Sequence, residues 1–466
     1  MDIPPEDIHA VFQTYDIRGR FPKPLSPHLV YAVGRTLAAY LHEAMRVKTG
    51  RVAIGRDMRR GSDELAAAVA AGLQEGRVAP VDLGLVSTDM VYFAAGEYPT
   101  TYDGAVMITA SHNPPHDNGL KFVLSCSRSI DANTGLNIIR DMMLSRNAPV
   151  PDDLPPLTAE RRDVADAYVE KLFSIAPGPF APVKVVVDAG NGMATAIFPL
   201  FARRLPCEII PIHFTLDGGF PDRDPDPTVP GALDKLRAAV REHHADLGLA
   251  FDGDADRALI VDEQGERVSG SHLTALFAQV FLRTRPRQPV LFDLTCSLAV
   301  RDCILEANGT PIVAPVGHSR IKERMYDAAA LFGGEESGHY YFRDFYCCDS
   351  GMLASLVLLQ LLAATGQPLS ALVRPLASRY HRVGDVRRFG TREEAIERVA
   401  RVDAEFPAAG AEATRIGPDV RKDFADWWYC VRPSGAERGL LRVTVEACDP
   451  AVAAARLADI LAIIDR

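Results

Sequence analysis

The sequence predicts an α/β protein of four domains: three related α/β domains with mixed sheets, followed by a C-terminal α+β domain. Three times, at Asp57, Asp188 and Asp293, an apolar strand ends in aspartate and turns into a helix. Such a repeat indicates a recurring α/β unit. Beyond about residue 374, strand-like segments follow one another without intervening helices. That pattern is typical of an antiparallel sheet in an α+β domain.

Domain boundaries follow from length and proline content. A chain of 466 residues is long enough for three or four separate cores. The proline-rich stretch 148–157 is the clearest linker, and a second boundary falls near Glu266. We therefore predict domains over residues 1–157, 158–266, 267–375 and 376–466.

Individual elements follow from apolar periodicity and turn residues. In the first domain, residues 11–25 are predicted to be a strand-like start and a basic loop, followed by helices over about 27–44 and 62–75 and strands over 51–55 and 78–83. The predicted strands of the next two domains are 183–188, 207–214, 289–293 and 311–316. The last domain has predicted helices over 391–402 and 451–464 and strands over 411–416, 427–431 and 440–447.

Composition excludes several classes of protein. The net charge of −10 argues against a general nucleic-acid surface. No 18-residue apolar run occurs, and the acidic, proline-rich N-terminus does not resemble a signal peptide. Eight scattered cysteines without CxxC spacing indicate reduced thiols and a cytoplasmic location. We expect no nucleic-acid, membrane or obligate protein partner.

A polar loop after a buried strand is the first candidate site. The apolar run 105–108 is a predicted strand, and the loop 109–118 carries Ser111 beside His112, with Lys121 on the next strand. A hydroxyl next to an imidazole and an ammonium suits covalent phosphoryl or acyl chemistry. An ordinary polar turn is the alternative interpretation.

A second candidate site has three carboxylates at alternate positions. Asp252, Asp254 and Asp256 follow a predicted strand, and their mutual repulsion calls for a cation among them. Oxygen ligands favour Mg²⁺ or Ca²⁺. An EF-hand loop, with Glu263 in its twelfth place, is opposed by Arg257 in place of glycine and by the strands predicted on both sides. A solvated acidic turn is the second alternative.

Two further loops carry polar side chains at high density. Glu335, Ser337 and His339 share one glycine-rich loop, which suits sugar hydroxyls that both donate and accept. Arg432 and Ser434, beside a glycine, are typical of a phosphate-binding loop. A glycine-rich turn and a plain hairpin turn are the respective alternatives.

These loops, in this order, resemble the motifs of the α-D-phosphohexomutases, the family of phosphoglucomutase and bacterial phosphomannomutase/phosphoglucomutase. The resemblance covers essentially the whole chain. It rests on Tyr15–Gly19, Thr109–Pro114, Asp252–Arg257, Gly317-His318, Gly333–His339 and Arg432–Glu437. It implies four domains around a central cleft and an isomerase that interconverts hexose 1-phosphate and hexose 6-phosphate, with mannose and glucose favoured.

The resemblance also implies residue roles. Ser111 would carry the phosphoryl group, with Mg²⁺ bound by Ser111, Asp252, Asp254 and Asp256, and a hexose 1,6-bisphosphate would serve as intermediate and activator. His112, Lys121 and Arg18 are the other implied catalytic residues, and either His112 or Lys121 could transfer the proton. The implied contacts to the phosphorylated hexose are Tyr15, Arg18, Arg257, His318, Glu335, Glu336, Ser337, Gly338, His339, Arg432, Pro433, Ser434, Gly435 and Ala436.

Departures from the family pattern leave the preferred sugar open. Ala436 and Arg438 stand where the family usually has threonine and proline, and a lysine found in some bacterial members is absent near Thr295. The amino-sugar mutases prefer glutamine at Glu336, so a phosphoglucosamine mutase is the first alternative. A phosphatase with Asp252 as nucleophile and an inactive sugar-phosphate sensor are the others.

Overall fold

The computed structural model describes residues 2–47, 50–146, 148–156, 158–180, 182–407, 409–434 and 439–466. The chain divides into two compact units, each made of several segments. The first unit consists of Met1–Val268, Gly317–Ala329 and Ser337–Leu369. The second consists of Ser269–Val316, Ala330–Glu336 and Ser370–Arg466.

A six-stranded mixed sheet begins the first unit. Its strands are β1 (Ile17–Arg20), β2 (Arg51–Arg56), β3 (Ala79–Leu85), β4 (Gly104–Ile108), β5 (Asp117–Leu124) and β6 (Glu160–Arg161), in the order β1-β5-β4-β2-β3-β6. Strand β2 is parallel to β3 and β4, whereas β5 is antiparallel to β4 and β1. The helices are α1 (Pro5–Val11), α2 (Pro27–Glu43), α3 (Ser62–Glu75), α4 (Thr88–Glu97) and α5 (Asn137–Arg146). Helix α2 begins where Ser26 caps it by accepting from the Leu29 N–H.

A second mixed sheet follows in the same unit. Its strands are β7 (Lys184–Asp188), β8 (Glu208–Ile212), β9 (Leu247–Phe251), β10 (Ala258–Asp262) and β11 (Arg267–Val268), in the order β11-β10-β9-β7-β8. Strand β7 is parallel to β8 and β9, and β10 is antiparallel to β9. The helices are α6 (Ala165–Ile175), α7 (Ala194–Ala202) and α8 (Asp234–Glu242).

The next part of the chain contributes to both units. In the second unit lie α9 (Gly270–Thr284), β12 (Pro289–Asp293), α10 (Leu298–Glu306), β13 (Thr310–Ala314) and β14 (Phe332–Gly334). Strand β12 is parallel to both β13 and β14. In the first unit lie α11 (His318–Ala328), the antiparallel pair β15 (Tyr340–Phe342) and β16 (Cys348–Asp349), and α12 (Gly351–Thr365). Helix α13 is Leu369–Ala377.

The second unit ends in an antiparallel sheet. Its strands are β17 (His381–Arg388), β18 (Glu412–Ile416), β19 (Asp419–Asp423), β20 (Trp427–Pro433) and β21 (Leu440–Ala447), in the order β17-β21-β20-β19-β18. Helices α14 (Arg392–Glu405) and α15 (Pro450–Ile464) bury an apolar face with the strand residues in one core. The predicted change to an α+β segment is therefore correct.

The repeated aspartate turns share one hydrogen bond. Asp57, Asp188 and Asp293 are almost completely buried. The Oδ1 atom of each accepts from the backbone N–H two residues later, at 2.9 Å from Arg59, 2.8 Å from Gly190 and 2.5 Å from Thr295. This local bond closes the turn after each strand. The repeat predicted from the sequence is thus a repeat of structure.

Sequence-based expectations differ from the structure mainly at element ends. The predicted strand-like start at residue 11 is the end of helix α1, and strand formation begins only at Ile17. The predicted strand 207–214 ends at Ile212 because His213 adopts a left-handed backbone conformation with φ 54°. None of the eight cysteines, all of which lie among the described residues, forms a disulfide.

Within the residues that the structure describes, no single helix is long and apolar enough to cross a membrane. Helices α12 and α13 together meet a length and composition test, but they are bent by 96° with respect to each other.

Candidate active site

The Ser111 loop is held in a strained conformation at the end of strand β4. Ser111 has a φ of 51°, which is uncommon for a residue with a side chain. Its backbone N–H donates to Thr109 Oγ1 at 2.8 Å. The side chain is 2 % exposed, and its hydroxyl lies 3.1 Å from His112 Nδ1 and 3.2 Å from Asp252 Oδ2.

Arg59 fixes this loop through hydrogen bonds to its backbone. Its guanidinium donates to four backbone carbonyl groups, those of Ser111 (2.6 Å), Asn113 (2.6 Å), Pro114 (2.8 Å) and Asp117 (3.1 Å). The Arg59 side chain is completely buried and lies 3.4 Å from Asp57 Oδ2. A buried charged group thereby fixes the strained conformation at Ser111.

The three predicted aspartates lie directly after strand β9 and are all buried. Gly253, between the first two, must be glycine because a Cβ there would lie 2.4 Å from the Ser111 carbonyl oxygen. Both flanking elements are strands, which removes the EF-hand alternative. The same close approach brings the serine hydroxyl to the carboxylates.

A second buried arginine supports this aspartate loop. Arg223 donates to Asp188 Oδ2 at 2.9 Å and to the carbonyl of Phe251, the residue before Asp252, at 2.6 Å. Thr88 Oγ1 donates to Asp254 Oδ2 at 2.5 Å, and the Thr88 N–H donates to the Asp254 carbonyl at 3.2 Å. Side chains from elsewhere in the first unit therefore orient the carboxylates.

Lys121 bridges two of the carboxylates. Its Nζ lies 2.8 Å from Asp254 Oδ2 and 2.6 Å from Asp256 Oδ2. Burial opposes the lysine charge, but the two aspartates raise the pKa of Lys121 above its usual range. Burial also opposes ionisation of Asp256, yet Lys121 and His339 hold the pKa of Asp256 well below its usual range. Lys121 is therefore an ammonium in this arrangement.

The remaining carboxylate, that of Asp252, lacks this compensation. Burial, and then repulsion from Asp256 and Asp254, raises the pKa of Asp252 well above its usual range. The ligand oxygens of the three aspartates lie within 4.8 Å of one another, and Asp254 Oδ1 is buried without a hydrogen-bond partner among the described residues. An all-oxygen donor set with surplus negative charge fits a hard divalent cation such as Mg²⁺.

Two arginines act on His112, the neighbour of the serine. Arg257 contacts His112 through its Nη2 and lies 3.4 Å from Asp252 Oδ2. Burial, then the charges of Arg257 and Arg18, lowers the pKa of His112 well below its usual range. Arg18 donates twice to Asp16, while its buried Nη1 has no partner among the described residues. That guanidinium retains a donor for an anion.

Five further predicted substrate residues lie on the same unit, and contacts link four of them. The rings of Tyr15 and His318 are 5.9 Å apart, and those of His318 and His339 are 6.5 Å apart. Ser337 Oγ lies 3.0 Å from His339 Nδ1. Gly338 accepts the Ala258 N–H through its carbonyl, which connects this loop to the strand after the aspartates.

In the second unit, the Glu336 side chain is held by neighbouring residues. Its carboxylate accepts from the Ser271 N–H at 3.0 Å and from the Ser271 hydroxyl, and it lies 3.7 Å from Arg382. The Glu336 N–H donates to Asp293 Oδ2 at 2.9 Å. Glu335 is buried at the end of β14.

A buried chain of hydrogen bonds continues from Ser271 to strand β21. Ser271 Oγ accepts from the Ser297 N–H at 3.0 Å, and the Ser297 hydroxyl donates to Glu446 Oε2 at 2.9 Å. Glu446 also accepts from the Leu298 N–H at the start of α10 and from the Trp428 indole at 2.6 Å. Strand β21 is the one that follows the predicted phosphate-binding loop.

Of that predicted loop, the structure describes only the beginning. Arg432 and Pro433 end strand β20, and Ser434 is 6 % exposed. Gly435 and Ala436, together with the unusual Arg438, lie outside the described residues.

Sequence comparison identifies the family. Family models for phosphoglucomutase/phosphomannomutase α/β/α domains I, II and III match residues 9–147, 166–265 and 269–380. A phosphomannomutase from Salmonella montevideo is 36% identical over 442 residues, which cover 94% of each chain. The chain belongs to the α-D-phosphohexomutase family. This phosphohexomutase is an isomerase, and its first three domains are the family's α/β domains with mixed sheets.

Solved structures agree with this membership. A phosphoglucomutase/phosphomannomutase family protein from Burkholderia thailandensis is 30% identical, covers 98% of this chain and 96% of its own, and superposes with a TM-score of 0.85. An N-acetylphosphoglucosamine mutase from Aspergillus fumigatus, solved in complex with GlcNAc-6P and magnesium, shares the fold of this phosphohexomutase with a TM-score of 0.61 at 14% identity over 98% of each chain.

Several side chains of the phosphohexomutase site carry no motif of their own. Arg59, Thr88, Arg223 and Glu446 were not predicted from the sequence. For Arg59 the available signal was its place two residues after Asp57, but nothing in that spacing indicates four carbonyl partners. The other three residues are distant in sequence from the repeated turns.

Proposed function

We propose that this phosphohexomutase interconverts the 1- and 6-phosphates of mannose or glucose by passing a phosphoryl group between Ser111 and the sugar. One observation carries the proposal. The Ser111 hydroxyl lies 3.1 Å from an imidazole and 3.2 Å from a carboxylate of a buried acidic cluster, on a loop that Arg59 fixes. An activated, positioned hydroxyl of this kind suits covalent phosphoryl transfer.

The proposed reaction has two transfers. In the first, the free hydroxyl oxygen of the hexose phosphate bonds to the phosphorus carried by Ser111, the bond from phosphorus to Ser111 Oγ breaks, the hydroxyl proton passes to a base, and the released Ser111 Oγ takes up a proton. In the second, Ser111 Oγ gives up its proton as it attacks the other phosphoryl group of the resulting 1,6-bisphosphate, and the departing sugar oxygen takes up a proton. Within hydrogen-bond reach of Ser111 Oγ, His112 Nδ1 is our candidate for accepting the serine proton.

Lys121 and the metal ligands serve charge neutralisation. Asp252, Asp254 and Asp256 would hold Mg²⁺, which neutralises charge that develops on the transferring phosphoryl oxygens. The magnesium in the Aspergillus relative supports this choice of ion. Lys121 donates to two of the same carboxylates, and Arg18 offers its unpaired Nη1 to a phosphate oxygen.

The proposed sugar contacts are Glu335, Ser337 and His339, and the proposed contacts to the non-reacting phosphate are Arg432 and Ser434. The phosphomannomutase relatives support mannose as one substrate. Glu336 is bound to Ser271, so we propose that it positions the sugar-binding loop. The four domains predicted from the sequence, with boundaries at 157, 266 and 375, and a cytoplasmic location stay predictions.

Intact-mass spectrometry with a coupled mutase assay tests the proposal. Purified protein should carry one added phosphate that is absent in Ser111→Ala, and that variant should lose mutase activity by orders of magnitude. Ser145→Ala, at an exposed helical serine, is the matched control and should keep both. Full turnover in Ser111→Ala with release of inorganic phosphate would favour the phosphatase alternative.

A further inference from the structure

A second group of metal-ligand side chains lies beside the aspartate cluster. Asp256, His339 and Asp349 are buried, and their ligand atoms lie within 4.8 Å of one another. His339 Nε2 is 3.5 Å from Asp256 Oδ1 and 3.8 Å from Asp349 Oδ2. Two ligands bound tetrahedrally at about 2.1 Å from one ion are about 3.4 Å apart. The observed spacing is close to that value.

The Asp349 carboxylate accepts no hydrogen bond from the described residues. The side chain of Asp349 is completely buried. A buried acceptor in this state needs a donor or a cation. The nearby Lys322 ammonium lies 3.5 Å from the centre of the Tyr92 ring, and among the described residues it forms no ion pair with Asp349.

The other two ligands are already oriented. With Nδ1–H of His339 donating to Ser337 Oγ at 3.0 Å, the lone pair of Nε2 points to the carboxylates, which is the usual arrangement of a metal-bound histidine. Asp256 uses Oδ2 for Lys121 at 2.6 Å, whereas its Oδ1 faces His339. One imidazole with two carboxylates favours Zn²⁺ or Co²⁺, and an all-oxygen site favours Mg²⁺.

We infer that Asp256, His339 and Asp349 form a second cation site, selective for a borderline divalent ion such as Zn²⁺, next to the Mg²⁺ ligands. Asp256 would connect the two sites, since its two oxygens face different partners. An ion bound there occupies His339, a proposed sugar contact, so it inhibits the mutase. Inhibition rests on the proposed function, but binding does not.

Co²⁺ absorption spectroscopy in excess Mg²⁺ tests binding on the full-length protein. The wild type should bind one Co²⁺ with the intense visible bands of a four- or five-coordinate ion. Asp349→Asn should weaken this binding by at least about tenfold. Asp252→Asn, which belongs only to the Mg²⁺ cluster, is the matched control and should retain the spectrum. Loss in Asp252→Asn with retention in Asp349→Asn would overturn the inference.

A second variant distinguishes loss of the metal site from misfolding. Asp349→Cys places a thiolate at the same position, so Co²⁺ should produce a new sulfur-to-metal charge-transfer band. A folded Asp349→Cys protein without that band contradicts the assignment. Zn²⁺ should inhibit the wild-type mutase in saturating Mg²⁺, and Asp349→Asn should need at least about tenfold more Zn²⁺ for the same inhibition. Co²⁺ binding in a protein without mutase activity would refute the proposed function alone.

Discussion

Replacing Arg59 with lysine tests whether the support beneath the Ser111 loop sets the rate of phosphoryl transfer. Arg59 donates to four carbonyl groups of the loop. A lysine keeps the charge, but one ammonium cannot reach both the carbonyls bound by Nη1 and those bound by Nη2. Losing two charge-assisted hydrogen bonds at about 1.5 kcal/mol each removes about 3 kcal/mol of support. If the loop must be ordered for transfer, turnover should fall by about a hundredfold.

The assay is the coupled conversion of hexose 1-phosphate to hexose 6-phosphate with titrated 1,6-bisphosphate, together with the phosphate content of Ser111 by intact mass. Arg60→Lys, at the exposed neighbouring position, is the matched control and should retain wild-type turnover. Thermal unfolding separates loss of the loop from loss of the fold. A folded Arg59→Lys enzyme with wild-type turnover and normal Ser111 phosphorylation would refute the reasoning.

Three further predictions concern the metal, the non-reacting phosphate and the pH dependence of stability. Asp254→Asn removes one charge from a hard-cation site, so Mg²⁺ affinity and turnover should both fall, as calorimetry and kinetics would measure; full wild-type activity in EDTA would contradict the metal proposal. Arg432→Ala should weaken the binding of both hexose 1-phosphate and hexose 6-phosphate by roughly ten- to a hundredfold, because a charge-assisted contact is worth about 1.5–3 kcal/mol. Steady-state kinetics in both directions would measure this. A loss in only one direction would exclude a loop that binds the substrate in both orientations. Burial raises the pKa of Asp89 from 3.8 to about 6 despite hydrogen bonds from Ser350, Ser87 and Tyr168. The folded state therefore binds this proton more tightly than the unfolded state, and the contribution of Asp89 to stability falls as pH rises from about 4 to about 6. Asp89→Asn should lose that dependence, so its melting temperature relative to the wild type should rise over this range; an unchanged difference would assign the dependence to other groups.

Loops whose chemistry depends on their own side chains were predictable from the sequence. The Ser111 loop, the three aspartates and the Glu335 loop are each short runs whose residue types predict a nucleophile, a cation site or a sugar contact, and these roles stay predictions. The repeated turns at Asp57, Asp188 and Asp293 were predictable for a similar reason, since a strand that ends in aspartate is a local pattern. Local hydrogen bonds leave a local signature.

Residues that act through distant backbone groups left no such signature. Arg59 binds carbonyl oxygens 52 to 58 positions away, and a carbonyl is the same atom in every residue type. In the sequence, Glu446 is an ordinary acidic residue of a predicted strand. In the structure, it accepts hydrogen bonds from the start of helix α10 and from the Trp428 indole. The partners that compensate such a buried charge are brought to it only by the fold, so the sequence pattern alone does not identify the residue.

The three aspartate turns each leave a second carboxylate oxygen free for a different task. Asp57 Oδ2 lies against Arg59, which holds the serine loop. Asp188 Oδ2 accepts from Arg223, which holds the residue before Asp252, a proposed metal ligand, and Asp293 Oδ2 accepts from the Glu336 N–H in the proposed sugar-binding loop. If one ancestral unit was copied twice, the turn-closing oxygen kept the fold in every copy while the other oxygen diverged. The proposed nucleophile, metal and sugar loops would then each depend on a different partner of the equivalent Oδ2 atom.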